Sequence, residues 1–188
     1  MIDNLELIAV ILGLIYLILL IKEKIACWIF GILSSAISIY LFYSIQLYSE
    51  AILYFYYVII GIYGFWLWSI KGVEKKSFQI KDFKLRSHLI TIVIGIVLSL
   101  LLGYSFSSLS DASSPYLDSF TTIFSFIASY LQAKKILSSF LYWIVINAAT
   151  LYLYLHKELE FYFFLTVVYF IFSFVGFITW QRKMALQR

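Results

Sequence analysis

The chain has 188 residues, 63% of them hydrophobic and 13% charged, with a net charge of +4 and a mean hydropathy of +0.96. Soluble domains are about half apolar and a quarter charged, so this balance excludes one and points to a membrane protein. A single cysteine, Cys27, excludes an internal disulfide and a thiolate metal cluster, and one proline with eight glycines excludes a low-complexity linker.

Crossing the bilayer core takes about 20 apolar residues. Seven runs qualify: residues 5–21, 25–43, 51–70, 88–106, 119–131 (extended at both ends), 138–156 and 161–180. The first follows an acidic start and lacks a small-residue cleavage site, so a retained helix is expected rather than a signal peptide. The runs are continuous rather than alternating, which excludes a closed barrel. With seven spans, 13 Lys and Arg fall on one side and only Lys157 on the other. That asymmetry predicts an external N-terminus and a cytoplasmic C-terminus. The basic charge is topological and calls for no nucleic acid. Residues 71–86 read as a solvated loop facing anionic lipid.

Tyr57, Gly64 and Trp68 recur as Tyr169, Gly176 and Trp180, at a constant separation of 112. The same offset carries Leu5-Glu6 onto Leu117-Asp118 and Lys22 onto Lys134. An offset of 113 sets Phe30 and Ser34 against Trp143 and Asn147, an aromatic four residues before a polar side chain. These matches predict two three-helix copies, within 1–70 and 108–188, joined by 71–107 with its connector helix. The extra helix makes the copies parallel, in a 3+1+3 all-α architecture, and parallel repeats place a solute site near the midplane between copies.

The sixth run carries Phe140, Trp143 and Asn147 at i, i+3, i+7, one helical face. An amide at membrane depth is costly unless it meets protein, water or a ligand. Two flat rings and one two-way hydrogen-bonding group suit a small planar polar solute. The alternative for Asn147 is a helix–helix bond; for Phe140 it is packing. Trp143 lies about two turns inside its helix, deeper than a belt residue. Ser34, Ser35 and Ser38 form a small polar face that close helix packing explains equally well. Tyr54 and Tyr57 on the third helix are within reach of the path. Trp66, Trp68 and Trp180 read as interfacial anchors. Glu6 and Asp118 open equivalent helices, where they favour the helix dipole or form an acidic vestibule for cations. His88 and His156 fall at opposite membrane faces and cannot share a metal. No catalytic constellation appears, so neither an enzyme nor a cofactor is expected. No Asp, Glu, Lys, Arg or His lies mid-span, which predicts facilitated diffusion rather than ion coupling and argues against an anionic, phosphorylated solute.

Glu23-Lys24-Ile25, Ile45-Gln46-Leu47-Tyr48, Ile62-Tyr63-Gly64-Phe65-Trp66-Leu67-Trp68, Asp118-Ser119 and Trp143-Ile-Val-Ile-Asn147 together resemble the PnuC-type family of bacterial vitamin transporters, over nearly the whole chain. The resemblance implies a fold like that of full-length sugar transporters of the SWEET type. It also implies uptake of nicotinamide riboside across the bacterial inner membrane, with phosphorylation by a cytoplasmic kinase trapping it. Two positions depart from the family pattern: Phe140 stands for the first Trp of Trp-x-x-Trp-x-x-x-Asn, and Tyr54 for a Gln. A phenol offers a carboxamide different hydrogen bonds from an amide, and thiamine, another ring-bearing cation, is the second candidate. A SWEET-type sugar carrier would need more hydroxyl-bonding groups at depth. A non-transporting membrane assembly protein would show no solute dependence, and the sequence leaves homo-oligomerisation open.

Overall fold

The computed structural model describes residues 2–44, 48–73, 78–109, 114–156 and 160–187. Ile45, Gln46 and Leu47 of the motif, and the charged residues Glu74, Lys75, Lys76, Asp111, Lys157, Glu158 and Arg188, lie outside these. Among the described residues there are seven helices: α1 (Ile2–Ile21), α2 (Ala26–Ser44), α3 (Tyr48–Val73), α4 (Leu85–Leu109), α5 (Pro115–Ala133), α6 (Ser139–His156) and α7 (Glu160–Leu186). Each covers one of the seven apolar runs. Among the described residues four stretches are long and apolar enough to cross a membrane: Ala26–Ser44, Glu50–Ile70, Leu85–Ser108 and Phe163–Leu186. The apolar parts of α1 and α6, Leu5–Ile21 and Ser139–Leu153, are shorter. α5 is interrupted by Ser119, Ser125, Ser129 and Gln132, all buried. The surface is greasy: Leu89, Val93, Val97 and Leu101 of α4 are all exposed, as suits a helix solvated by acyl chains rather than water.

The helices fall into two units, Met1–Gln79 with α1 to α3 and Ile80–Arg188 with α4 to α7. In the first, α1 packs on α2 and α2 on α3; in the second, α4 packs on α5, α5 on α6 and α6 on α7. α4 therefore groups with the helices that follow it. The hydroxyls of Ser38, Ser99 and Ser129 donate to the carbonyls of Ser34, Gly95 and Ser125 on their own helices, whereas those of Ser119 and Ser139 are buried without a partner among the described residues.

The two units repeat one another bond for bond at their α1–α2 and α5–α6 turns. α1 ends with Glu23 in the left-handed region at φ 56, and α5 ends with Lys135 at φ 55. The Lys24 amide donates to the Leu19 carbonyl at 2.9 Å and Glu23 to Leu20 at 2.9 Å; Ile136 donates to Leu131 at 3.0 Å and Lys135 to Gln132 at 3.0 Å. This is the Schellman closure, made twice without the usual glycine. The first turns of α2 and α6 then repeat as well, with Trp28 on Ile25 and Phe140 on Leu137, both at 3.2 Å.

Those turns deliver a bulky ring into a matching notch. Trp28 of α2 lies over Gly64 of α3, where an added Cβ would sit 2.5 Å from the indole. Its other side meets Trp68 edge-on, with centroids 5.5 Å apart at 88°. Phe140 of α6 overlaps the Cβ position of Gly176 in the same way and meets Trp180 at 5.0 Å and 88°. A glycine one turn before a tryptophan thus builds a slot for a ring on the neighbouring helix. Trp68 and Trp180 are 4% and 0% exposed, so they are core residues and not interfacial anchors; only Trp66, 56% exposed, fits that expectation.

The end of the expected solvated loop is also anchored. Lys81 donates to the Lys135 carbonyl at 3.1 Å and accepts from the Leu137 amide at 2.8 Å, while Asp82 accepts from Ser138 and Ile80 is buried. Backbone groups left open by the α5–α6 turn are what hold it there.

Candidate functional site

α6 carries the polar ring-and-amide set, and its neighbours α5 and α7 hold that set from two sides. Trp143 is half-buried, packed against a core that includes Phe124, Ala128, Tyr142 and Ile146. Its Nε1–H donates to Oε1 of Gln132 on α5 at 3.0 Å. An indole N–H is a donor only, so it fixes which end of the Gln132 amide faces it, and the bond fixes the tilt of the indole. Gln132 is 2% exposed, a position where an unpaired amide would be costly. Asn147, one turn further on and 6% exposed, donates from Nδ2 to Oγ of Ser173 on α7 at 3.1 Å. Ser173 in turn donates to the Tyr169 carbonyl at 2.8 Å.

Phe140 does not join them. Its ring is 2% exposed and fills the Gly176–Trp180 slot, so the expectation that it lines a path with Trp143 and Asn147 is corrected to a packing role. Positions i and i+7 share a face, but Phe140 lies at the helix end that closes on α7.

The remaining expected residues lie in other places. In the first unit, Ser34 donates to the Ala9 carbonyl at 2.8 Å, a bond that ties α2 to α1. Tyr54 stacks on Phe42 at 5.2 Å and 20° and meets Tyr57 edge-on at 5.6 Å. Glu6 is half-buried in the second turn of α1. In the second unit, Asp118 lies in the first turn of α5, where its charge suits the helix dipole; the Ser114 N-cap makes no side-chain bond there. His88 faces Tyr142 at 3.2 Å and Asp82 at 3.8 Å, while the His156 side chain is outside the described residues. No cluster of metal-ligating side chains occurs among the described residues.

Spacing along the sequence points to neither Gln132 nor Ser173. The one amide of α5, a turn before the basic end of its helix, is the signal that marks Gln132. Ser173 carries no sequence signal beyond its small size.

What the set offers chemically is one indole face held at a fixed tilt beside one fixed amide, each bonded to a neutral side chain. The sequence model of the family described as nicotinamide mononucleotide transporter matches residues 3–182. The chain belongs to that family. Among its relatives, the nicotinamide riboside transporter PnuC of Escherichia coli strain K12 is 23% identical over 171 residues, covering 76% of this chain and 70% of the relative. The nicotinamide riboside transporter PnuC of Neisseria mucosa is 25% identical over 150 residues, 77% of this chain and 57% of the relative. A crystal structure described as the vitamin B3 transporter PnuC shares the fold, with a TM-score of 0.81 over 99% of this chain and 84% of that one, at 22% identity.

Proposed function

We propose that this membrane transporter carries nicotinamide riboside by facilitated diffusion. The observation that carries the reading is the pairing of Trp143 with Gln132 and of Asn147 with Ser173: a ring and an amide, each held by a neutral side chain of a neighbouring helix. A pyridinium ring stacks on an indole and gains cation–π attraction, while an amide orients a ring substituent. The family's description names a mononucleotide, but a phosphate dianion needs basic residues at depth, and no Lys or Arg lies within the apolar core of any helix. A neutral lining favours the riboside. Net uptake then needs a sink, supplied by a cytoplasmic kinase.

The finer architecture belongs to the same reading. All seven helices would span a bacterial inner membrane, N-terminus outside, as two parallel three-helix copies with α4 between them, in a SWEET-like 3+1+3 order. The duplicated turns and ring slots support this, and they support a single offset of 112 throughout. On that offset Trp28 matches Phe140, Gly31 matches Trp143 and Ser35 matches Asn147, so Ser34 is displaced from the match expected for it. Tyr54 in place of an amide keeps thiamine as the second candidate.

Uptake of labelled nicotinamide riboside, thiamine and glucose into liposomes holding the purified protein tests the reading. Nicotinamide riboside should enter saturably, and collapse of the proton gradient should leave the initial rate unchanged. Thiamine uptake indifferent to excess nicotinamide riboside would overturn the substrate.

A further inference from the structure

We infer that Ser173 fixes the hydrogen-bonding polarity of the solute site. It turns the carbonyl end of Asn147, rather than the NH2 end, to the solute, so the group recognised there must be a hydrogen-bond donor. The inference rests on the transport reading above and names the chemistry that reading requires of the solute.

A serine hydroxyl has one proton to give. Ser173 gives it to the Tyr169 carbonyl of its own helix at 2.8 Å. Its Oγ can then only accept, and of the two ends of the Asn147 side chain only Nδ2 can donate to it; the 3.1 Å contact is that bond. A reversed amide would set Oδ1 against Oγ, two acceptors face to face in a low-dielectric span, unless Ser173 gave up its helical bond. Ser173 and Asn147 are each 6% exposed, so water does little to relieve that conflict. The Asn147 Oδ1 is thereby left as the end not held by Ser173, and among the described residues the side chain makes no second hydrogen bond. Gly61 and Ser35 stand at the matching places of the first unit, which therefore lacks both partners of the lock.

The solute class follows. A ring bearing a primary carboxamide or an amino group presents an N–H to Oδ1. The same ring bearing a carboxylate presents only acceptors. Nicotinamide riboside and nicotinic acid riboside differ at that one substituent and are the probes.

Uptake of both ribosides is measured in liposomes holding the wild-type protein, Ser173→Ala or Ser173→Thr, and the preference is taken as a ratio within each protein, so the amount of folded carrier cancels. Wild type should favour the carboxamide by about tenfold or more. Ser173→Ala should reduce that ratio to within about threefold, because the Asn147 amide is free to turn. Ser173→Thr, which keeps a hydroxyl able to bond the same carbonyl, should retain it. Because the ribosides also differ in charge, the change between variants is the decisive quantity. An Ala variant with the wild-type ratio, a Thr variant that loses it as Ala does, or a wild type indifferent to the substituent would overturn the inference and leave the transport reading standing. A wild type that moves neither riboside would remove both.

Discussion

Position 31 of the first unit is a glycine, and position 143 of the second, 112 residues on, is a tryptophan. Their neighbours on the preceding helix have traded size in the opposite sense, Tyr16 against Ala128. In the first unit the Tyr16 ring of α1 lies over Gly31, 2.9 Å from where a Cβ would be. In the second, Ala128 is fully buried beside Trp143, and the ring belongs to α6. The ring has changed owner, and so has its chemistry. A ring on α6 stands one turn from Asn147 and has an N–H that Gln132 holds; the residue matching Gln132 in the first unit is Leu20, 0% exposed. One packing plan thus serves as a plain core in one unit and as a polar, ring-lined face in the other.

The largest test of the shared plan is the ring slot. Gly64→Ala and Gly176→Ala each push a methyl into a ring backed by a second ring, and each should cost about 1–3 kcal/mol, read as a lower melting temperature in detergent. A Gly176→Ala protein that melts with wild type would mean the second slot is not closed. Next is the feature that separates the units. Gln132→Leu installs the residue of the first unit and strands the Trp143 N–H, which should cost about 1–3 kcal/mol and weaken riboside uptake, whereas Leu20→Ile should leave uptake intact. Should Gln132→Leu transport normally, Trp143 needs no anchor.

Smaller still is the coupling between traded residues. Gly31→Ala should destabilise by crowding Tyr16, and adding Tyr16→Ala should recover part of the loss, with a coupling of about 1 kcal/mol in a double-mutant cycle. Strict additivity would argue against the exchange. The smallest effect is at the turns: Glu23→Gly and Lys135→Gly relieve a left-handed backbone and should each stabilise by up to about 1 kcal/mol, by nearly the same amount in both units. A gain at one turn and a loss at the other would break their equivalence.

Seven helices were legible because apolar runs long enough for a bilayer leave few alternatives, and Trp143 with Asn147 stood out because polar groups at that depth are rare. Hydropathy cannot tell a belt tryptophan from a core one, so in the sequence Trp68 and Trp180 read as anchors. The glycine one turn before each was the available clue. Glu23 and Lys135 gave no sign of a left-handed turn, since neither is glycine or asparagine. The sequence pairs Ser34 with Asn147 because only the offset of 113 sets an aromatic, Phe30, against Trp143, whereas the matched backbone bonds of the two turns follow the offset of 112, which puts Gly31 there. Gln132 and Ser173 act through partners on other helices, a relation that spacing along one helix does not contain.

The central claim is that the ring-and-amide face of α6 holds the solute while its counterpart on α2 does not. Titration of nicotinamide riboside into purified Asn147→Ala and Ser35→Ala proteins tests it directly. The account predicts binding at least about tenfold weaker than wild type for Asn147→Ala and unchanged for Ser35→Ala. Wild-type affinity in the Asn147→Ala protein would contradict it.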